Sequence, residues 1–204
     1  MYQTTLSELK SIAENSRQAI WDIAKSYNRE PKIYLHWSAG KYDTCFSDYH
    51  VNIKADGSIW LATNDLSEVL AHTWKRNSGS VGISLCCAYG ATTNSLGAFP
   101  PTPMQLEVMA QVIAVVADAL WLTIDKPHVL THGEAANNED ALYVHEPYAV
   151  WSIPQPADGD TRWDLEFLGT AESPRYNPHA VDGSRGGDVL RGKANWYKYH
   201  GGLK

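Results

Sequence analysis

The segment that most constrains the fold is residues 79–87, with the sequence GSVGISLCC. This run is almost continuously apolar and has the length of a β-strand, which is typical of a strand covered on both faces in the middle of a sheet. A central strand needs neighbouring strands to pair with and helices to cover it. The flanking sequence must therefore supply both.

Two further strand regions precede the central segment. Residues 32–37 (KIYLHW) have the β-branched and aromatic character of a strand. Residues 49–54 and 58–62 are alternating runs on either side of an Asp-Gly turn, a pattern that predicts a β-hairpin. Its alternation places residues 49, 51 and 53 on one face and 50, 52 and 54 on the other.

A short strand is also expected after the central segment, at residues 127–132, which emerge into a loop.

Helices are predicted before and after the central strand. Residues 5–27 carry apolar side chains at intervals of three and four, as in an amphipathic helix. Thr102 and Gln105 form a capping-box pattern around Pro103, which opens an apolar helix to about residue 122. Residues 163–168 suggest a short helix, and residues 170–204 show no clear periodicity. These elements predict one α/β domain with a mixed central sheet flanked by helices.

Composition excludes several classes of function. The chain has 17 Lys+Arg against 23 Asp+Glu, a formal net charge of −6, so nucleic acid is not an expected partner. Three cysteines form neither an even framework nor a Cys-x-x-Cys pair, which favours synthesis in a reducing compartment. The apolar run near residues 112–117 is far shorter than a membrane span of about 20 residues. We expect neither membrane insertion nor a Sec-type signal.

Two histidines occupy the ends of predicted strands, where functional sites gather. His36 ends an apolar strand and His132 ends another. Neutral imidazoles are common zinc ligands, and a third ligand would complete a catalytic site with an open coordination position. Asp164, near the start of the last short predicted helix, is a candidate for that ligand, although an acidic residue there is also an ordinary helix cap.

Several segments of the chain together resemble one protein family. The similarity lies, in chain order, in residues 35–39 (LHWSA), 48–59 (DYHVNIKADGSI), 71–72 (AH) with 77–85 (NSGSVGISL), 102–105 (TPMQ), 131–136 (THGEAA) and 162–164 (RWD). These segments are similar to those of the zinc-dependent N-acetylmuramoyl-L-alanine amidases, the group that includes phage lysozyme-type amidases and peptidoglycan recognition proteins. They span roughly residues 32–168. The resemblance implies an amidase-like single domain acting on peptidoglycan.

The resemblance also implies roles for individual residues. His36, His132 and Asp164 would bind one zinc ion per chain. The reaction would cleave the amide bond between N-acetylmuramic acid and L-alanine of the stem peptide. Arg162 stands where the family usually has Lys and would stabilise the oxyanion, because its guanidinium is a fixed positive charge. Tyr49 would orient the attacking water or donate a proton, and His72 would contact the substrate.

The chain departs from the family pattern in two places. Some members have Glu two residues after the central-strand glycine, whereas this chain has Ser84, which we assign to substrate binding with Trp37 and Trp74. His132 and Arg162 are also thirty positions apart in the sequence, a far larger separation than the family commonly has. The insertion, about residues 137–159, would lie at the rim of the site. Four residues between His132 and Arg162 could replace Asp164 as a ligand: His145, Glu146, Asp158 and Asp160.

The domain organisation expected for residues 1–204 is therefore a single amidase domain. Residues 1–30 form a helix packed on the core, residues 32–168 form the family-like core, and residues 170–204 are a carboxyl-terminal extension. We expect a monomer that is synthesised in the cytoplasm and reaches the bacterial wall through a holin-type hole, dedicated secretion or lysis. Two alternatives remain open: a peptidoglycan recognition module that does not cleave, and a glycosidase using Glu134 and Asp164 as paired carboxylates.

Overall fold

A computed structural model describes residues 1–140, 142 and 163–201 of the chain. Its centre is a six-stranded mixed sheet with the strand order β1-β4-β3-β5-β2-β6. The strands are β1 (Tyr2–Thr4), β2 (Lys32–Trp37), β3 (Val51–Ile53), β4 (Ile59–Leu61), β5 (Ser80–Leu85) and β6 (Val129–Thr131). β2 is parallel to both β5 and β6, and β3 is parallel to β5, whereas β4 is antiparallel to β3 and β1. The predicted α/β class with a mixed sheet is confirmed.

The strand predicted to be central does lie in the middle of the sheet, with β5 pairing β3 on one side and β2 on the other. The side chains of all six of its residues are buried. The hairpin of β3 and β4 turns at Asp56-Gly57, where Gly57 has a φ of 84° that favours glycine. The apolar pattern and the turn chemistry therefore placed these strands correctly.

The helices are α1 (Leu6–Ser26), α2 (Pro103–Leu120), α3 (His132–Ala136) and α4 (Gly186–His200). Helices α1, α2 and α4 contribute their apolar side chains to one large core with one face of the sheet. That face is formed by alternate strand residues, among them Leu35, Ile53 and Ile83. The opposite face carries the intervening residues, which include His36, Asn52 and Ser84, all three buried. Apolar helices therefore occupy one face, and polar chemistry is concentrated on the other.

The amino-terminal end of α2 is tied to the sheet by Gln105. The side chain of this residue closes the predicted capping box, because its Oε1 accepts from the backbone N–H of Thr102 at 3.0 Å. Its Nε2 donates to the carbonyl oxygens of Ile53 and Cys86, each at 3.0 Å. Among the described residues, α2 also has the length and apolar composition of a membrane-spanning helix, but 67% of it is buried inside the molecule, as expected for a core helix.

Besides α3, which begins at His132 where the chain was expected to emerge into a loop, three features differ from the sequence-based expectations. The first is β1, which was not predicted and which pairs with the outer edge of β4. The second is residues 163–168, which form a turn rather than a short helix, with Leu165 in the left-handed region at a φ of 59°. The third is α4, which packs on α2 through Leu190 and Ala194 although its segment showed no clear periodicity.

Candidate metal centre

The three predicted ligands meet at one edge of the sheet. His36 lies near the carboxyl end of β2, and His132 is the first residue of α3, directly after β6. Because β2 and β6 are parallel neighbours, their carboxyl ends lie side by side. Asp164 belongs to the turn at residues 163–168, and its carbonyl oxygen accepts from the backbone N–H of Gly133 at 3.5 Å. Strand register and one backbone contact therefore bring the three residues together.

The ligand atoms of this group converge on a common point. His36 Nδ1 and His132 Nδ1 are 3.1 Å apart, and Asp164 Oδ2 lies 3.6 Å from each nitrogen. A tetrahedral zinc ion with bonds of about 2.1 Å would hold its ligand atoms about 3.4 Å apart. All three side chains are buried, and no other described group of His, Cys, Asp or Glu has this arrangement. Two imidazole nitrogens and one carboxylate oxygen are also a donor set typical of catalytic zinc, so the residues fit the metal.

The hydroxyl group of Thr73 contacts His36 at Nε2, the ring nitrogen that is not directed at the other two candidate ligands. Thr73 Oγ1 lies 3.3 Å from His36 Nε2 and 2.8 Å from His72 Nδ1. With His36 Nδ1 directed at the other two ligands, its Nε2–H donates to the Thr73 hydroxyl, which in turn donates to His72 Nδ1. These proton positions are inferred from the hydrogen-bond network. Such a contact fixes both the tautomer and the ring angle of a metal-binding histidine.

His72 lies in the interior behind His36, with only 5% of its surface exposed. Its ring packs directly on Gly82 of the central strand, where an added Cβ would come within 2.6 Å of His72 Cγ. Burial, followed by the nearby imidazoles of His36, His50 and His132, holds the pKa of His72 well below its usual range. His72 is therefore a neutral imidazole, and its position favours support of His36 over contact with substrate.

His50 is a second neutral imidazole on the same face, and it is completely buried. Its Nδ1 accepts from the backbone N–H of Gly82 at 3.0 Å, and its Nε2 lies 2.8 Å from the carbonyl oxygen of Glu68. The first contact requires an unprotonated Nδ1, so Nε2 carries the proton. Burial lowers the pKa of His50 to about 4. No sequence pattern marked His50 as a functional residue, although the alternation of the hairpin had predicted it on the same face as Asn52.

Comparison with known families decides the affiliation of the chain. Residues 13–142, more than half of the sequence, match the family model described as N-acetylmuramoyl-L-alanine amidase. The chain belongs to this family. The match includes His36 and His132 and ends before Asp164. The expected family is confirmed, and the protein is a peptidoglycan amidase by membership.

Two solved structures are similar to this amidase at a low level. One is the Ph2119 endolysin from Thermus scotoductus MAT2119 bacteriophage Ph2119, with 15% identity, a TM-score of 0.40, and coverage of 56% of this chain and 77% of that one. The other is the endolysin N-acetylmuramoyl-L-alanine amidase LysCS from Clostridium intestinale URNW, with 16% identity, a TM-score of 0.38, and coverage of 60% and 76%. No curated protein matches the chain.

Tyr49 lies beside the candidate metal centre of the amidase. Its ring centroid is 5.0 Å from that of His36, and the side chain is 9% exposed. Strand alternation had placed Tyr49 on the face opposite His50, which is wrong. Tyr49 precedes β3 and lies in a turn in which its N–H donates to the Phe46 carbonyl, so the alternation of the strand does not extend to it.

Ser84 lies on the same face of the sheet as the candidate ligand His36. Its Cα is paired in register with His36 on β2 and with Asn52 on β3. The position at which some members carry Glu is therefore directed to the site in this amidase as well. Ser84 is completely buried beneath that face.

The two tryptophans assigned to substrate binding have different surroundings. Trp37 is 3% exposed and packs edge-on against Phe167 in the main core, with ring centroids 6.1 Å apart. Because Trp37 follows His36 in the strand, it points to the opposite face, and this position does not favour substrate contact. Trp74 is partly buried, in the loop that also carries Thr73.

The remaining candidates divide into two groups. Arg162 and the alternative ligands His145, Glu146, Asp158 and Asp160 lie outside the described residues. Glu134, the other carboxylate of the glycosidase alternative, is completely buried and accepts from both terminal nitrogens of Arg191, at 2.7 and 2.8 Å. This ion pair does not favour Glu134 as a general acid or base.

Proposed function

We propose that this amidase is a zinc-dependent hydrolase that cleaves the bond between the lactyl group of N-acetylmuramic acid and L-alanine of the stem peptide. The observation that carries the proposal is the convergence of His36 Nδ1, His132 Nδ1 and Asp164 Oδ2 within 3.6 Å of one another. Three protein ligands leave the fourth position of a tetrahedral ion for water or substrate, as catalytic zinc sites require.

When bound, zinc supplies a Lewis acid and lowers the pKa of a coordinated water towards about 7. The side chains of the protein must position the substrate, transfer protons during the reaction and stabilise the negative charge that develops on the oxyanion. In this proposal Tyr49 orients the nucleophile or donates a proton to the developing negative charge, and the 5.0 Å between the ring centroids of Tyr49 and His36 supports that role. Arg162, two residues before Asp164, is proposed to bind the oxyanion through its fixed positive charge.

The other assigned residues have supporting or substrate-binding roles in this proposal. His72 acts through the Thr73 hydroxyl, which holds the ring of His36. Trp74 offers a partly exposed aromatic surface for the substrate, and Ser84 occupies the position at which some members of the family carry Glu. Trp37 contributes to the core beneath the ligands.

The biological setting is part of the same proposal. The partner is a muropeptide of the bacterial wall, and the chain acts as a monomer and as one domain over residues 1–204. An endolysin role fits the amidase family, in which case the protein reaches the wall after holin-type release, dedicated secretion or lysis of the cell.

The deciding experiment compares Asp164→Asn with Asp160→Asn, the corresponding change in a competing carboxylate. Zinc content is measured by atomic absorption, and the products of wall digestion are measured by mass spectrometry. We expect wild type and the Asp160 variant to contain about one zinc per chain and to release stem peptides with a free L-alanine amino terminus, leaving a free lactyl carboxylate on the glycan. Asp164→Asn should lose both zinc and cleavage.

Other outcomes would reassign the chemistry. If only Asp160→Asn loses zinc, the third ligand is Asp160 instead of Asp164. A metal-free wild type that still binds wall fragments would establish the recognition module instead of an enzyme. Products cut in the glycan with intact lactyl amides would establish a glycosidase.

A further inference from the structure

The carboxyl-terminal helix α4 meets the metal centre at a junction of three segments. These are the start of α3, the Asp164 turn and the start of α4. A Cβ at Gly133 would lie 2.5 Å from Glu166 Oε1, one at Gly186 would lie 1.9 Å from the Leu165 carbonyl oxygen, and one at Gly187 would lie 2.6 Å from Glu134 Oε2. The three segments can approach so closely only because glycine occupies each contact.

Two arginines of the α4 segment bind carboxylates at this junction. Arg185, the N-cap residue of α4, donates from Nε and Nη2 to the two oxygens of Glu166 at 3.0 and 2.8 Å. Arg191 donates in the same forked manner to Glu134. All four side chains are buried. Bidentate ion pairs of this kind fix the relative orientation of the two side chains in addition to stabilising their opposite charges.

Each carboxylate in turn contacts a residue adjacent to a metal ligand. Glu134 Oε2 accepts from the backbone N–H of Thr131, at 2.9 Å, and closes the capping box that starts α3 at His132. Glu166 Oε1 lies 3.5 Å from Thr131 Oγ1 and is two residues from Asp164. The contacts of Arg185 and Arg191 therefore converge on the two segments that carry His132 and Asp164.

The arginines also make this concentration of carboxylates possible. Glu134, Glu139 and Glu166 lie close to one another, and Arg185 binds Glu139 as well as Glu166, at 2.8 Å from its Nη1. Removing one partner of a buried ion pair leaves an uncompensated charge and forces its segment to rearrange.

We propose that α4 is a positioning element of the metal centre, in which Arg185 and Arg191 hold the Asp164 turn against α3 so that Asp164 and His132 share one metal ion. The inference rests on the proposed zinc site. It assigns a role in that site to a segment beyond residues 13–142, the part that matches the family model.

The test measures zinc affinity for Arg185→Met by competition with a chromogenic chelator, together with the visible absorption spectrum of the cobalt(II)-substituted protein. The matched control is Lys193→Met. Lys193 lies on the same helix, but its ion pair with Glu107 joins α4 to α2, away from the ligands. We expect Arg185→Met to bind zinc about 10- to 100-fold more weakly, with an altered cobalt spectrum. Lys193→Met should keep wild-type affinity and spectrum even where its thermal stability falls.

Arg185→Lys keeps the positive charge but loses the fork, and it serves as the informative variant if Arg185→Met does not fold. We expect it to fold and to bind zinc several-fold more weakly than wild type. Wild-type affinity and spectrum in folded Arg185→Lys or Arg185→Met would overturn the positioning role, as would an equal loss in Lys193→Met. A wild-type protein that binds no zinc would overturn the proposed function and this inference together, whereas zinc-loaded wild type with unaffected variants would overturn only the inference.

Discussion

The buried imidazole of His50 makes a quantitative prediction about acid sensitivity. In the folded protein its pKa falls from an ordinary value of 6.5 to about 4, because burial penalises the charged form. Protonation would also turn Nδ1 into a donor that faces the backbone N–H of Gly82. Between pH 4 and 6.5 the unfolded chain therefore binds more protons at this residue than the folded chain does, so stability rises with pH.

The size of the effect follows from the same values. A tenfold change in proton affinity corresponds to about 1.4 kcal/mol, so His50 should contribute about 3 kcal/mol that is present above pH 6.5 and is lost as the pH falls to 4. This is a large share of the roughly 5–15 kcal/mol that stabilises a typical domain. Other buried histidines, His72 among them, add to the slope, so the contribution of His50 must be isolated by substitution.

The assay is urea unfolding at several pH values from 4 to 7.5, with chelator present so that metal binding does not contribute. His50→Asn keeps an acceptor near the position of Nδ1 but cannot be protonated. Between pH 4 and 6.5, the free energy of unfolding of this variant should change by about 3 kcal/mol less than that of wild type. His179→Asn, which alters an exposed histidine, is the control and should follow wild type. Equal slopes for His50→Asn and wild type would refute the assignment of a neutral, hydrogen-bonded imidazole.

Two further predictions concern the residues behind His36. Thr73→Val removes the hydroxyl between His36 and His72 and should weaken zinc binding about 10- to 100-fold in a chelator competition, whereas Thr73→Ser should restore it. Unchanged affinity in Thr73→Val would show that the hydroxyl does not orient His36. Gly82→Ala places a Cβ 2.6 Å from His72 Cγ and should lower the free energy of unfolding by about 1–3 kcal/mol in chemical denaturation. A fully stable Gly82→Ala would mean that the His72 ring can move without cost.

The elements with local signatures could be predicted from the sequence alone. The apolar run of β5, the Asp-Gly hairpin and the Thr102 capping box each depend on residues that are close in the chain, so their patterns are visible without the fold. The order of the segments was also enough to identify the family and to nominate His36, His132 and Asp164 as ligands. Strand-end histidines are informative because parallel neighbours bring their carboxyl ends to the same edge of a sheet.

Tertiary structure decided what depends on distant residues. Asp164 lies close to both histidines because its backbone contacts Gly133 and because residues 163–168 form a turn. The sequence pattern had predicted a helix for this segment. The docking of α4 depends on ion pairs such as Arg191 with Glu134, separated by 57 positions. Such pairs have no periodicity along the chain. The partners are determined only when the folded backbone brings the charged groups into the same buried region, where an unpaired charge would lower the stability of the protein.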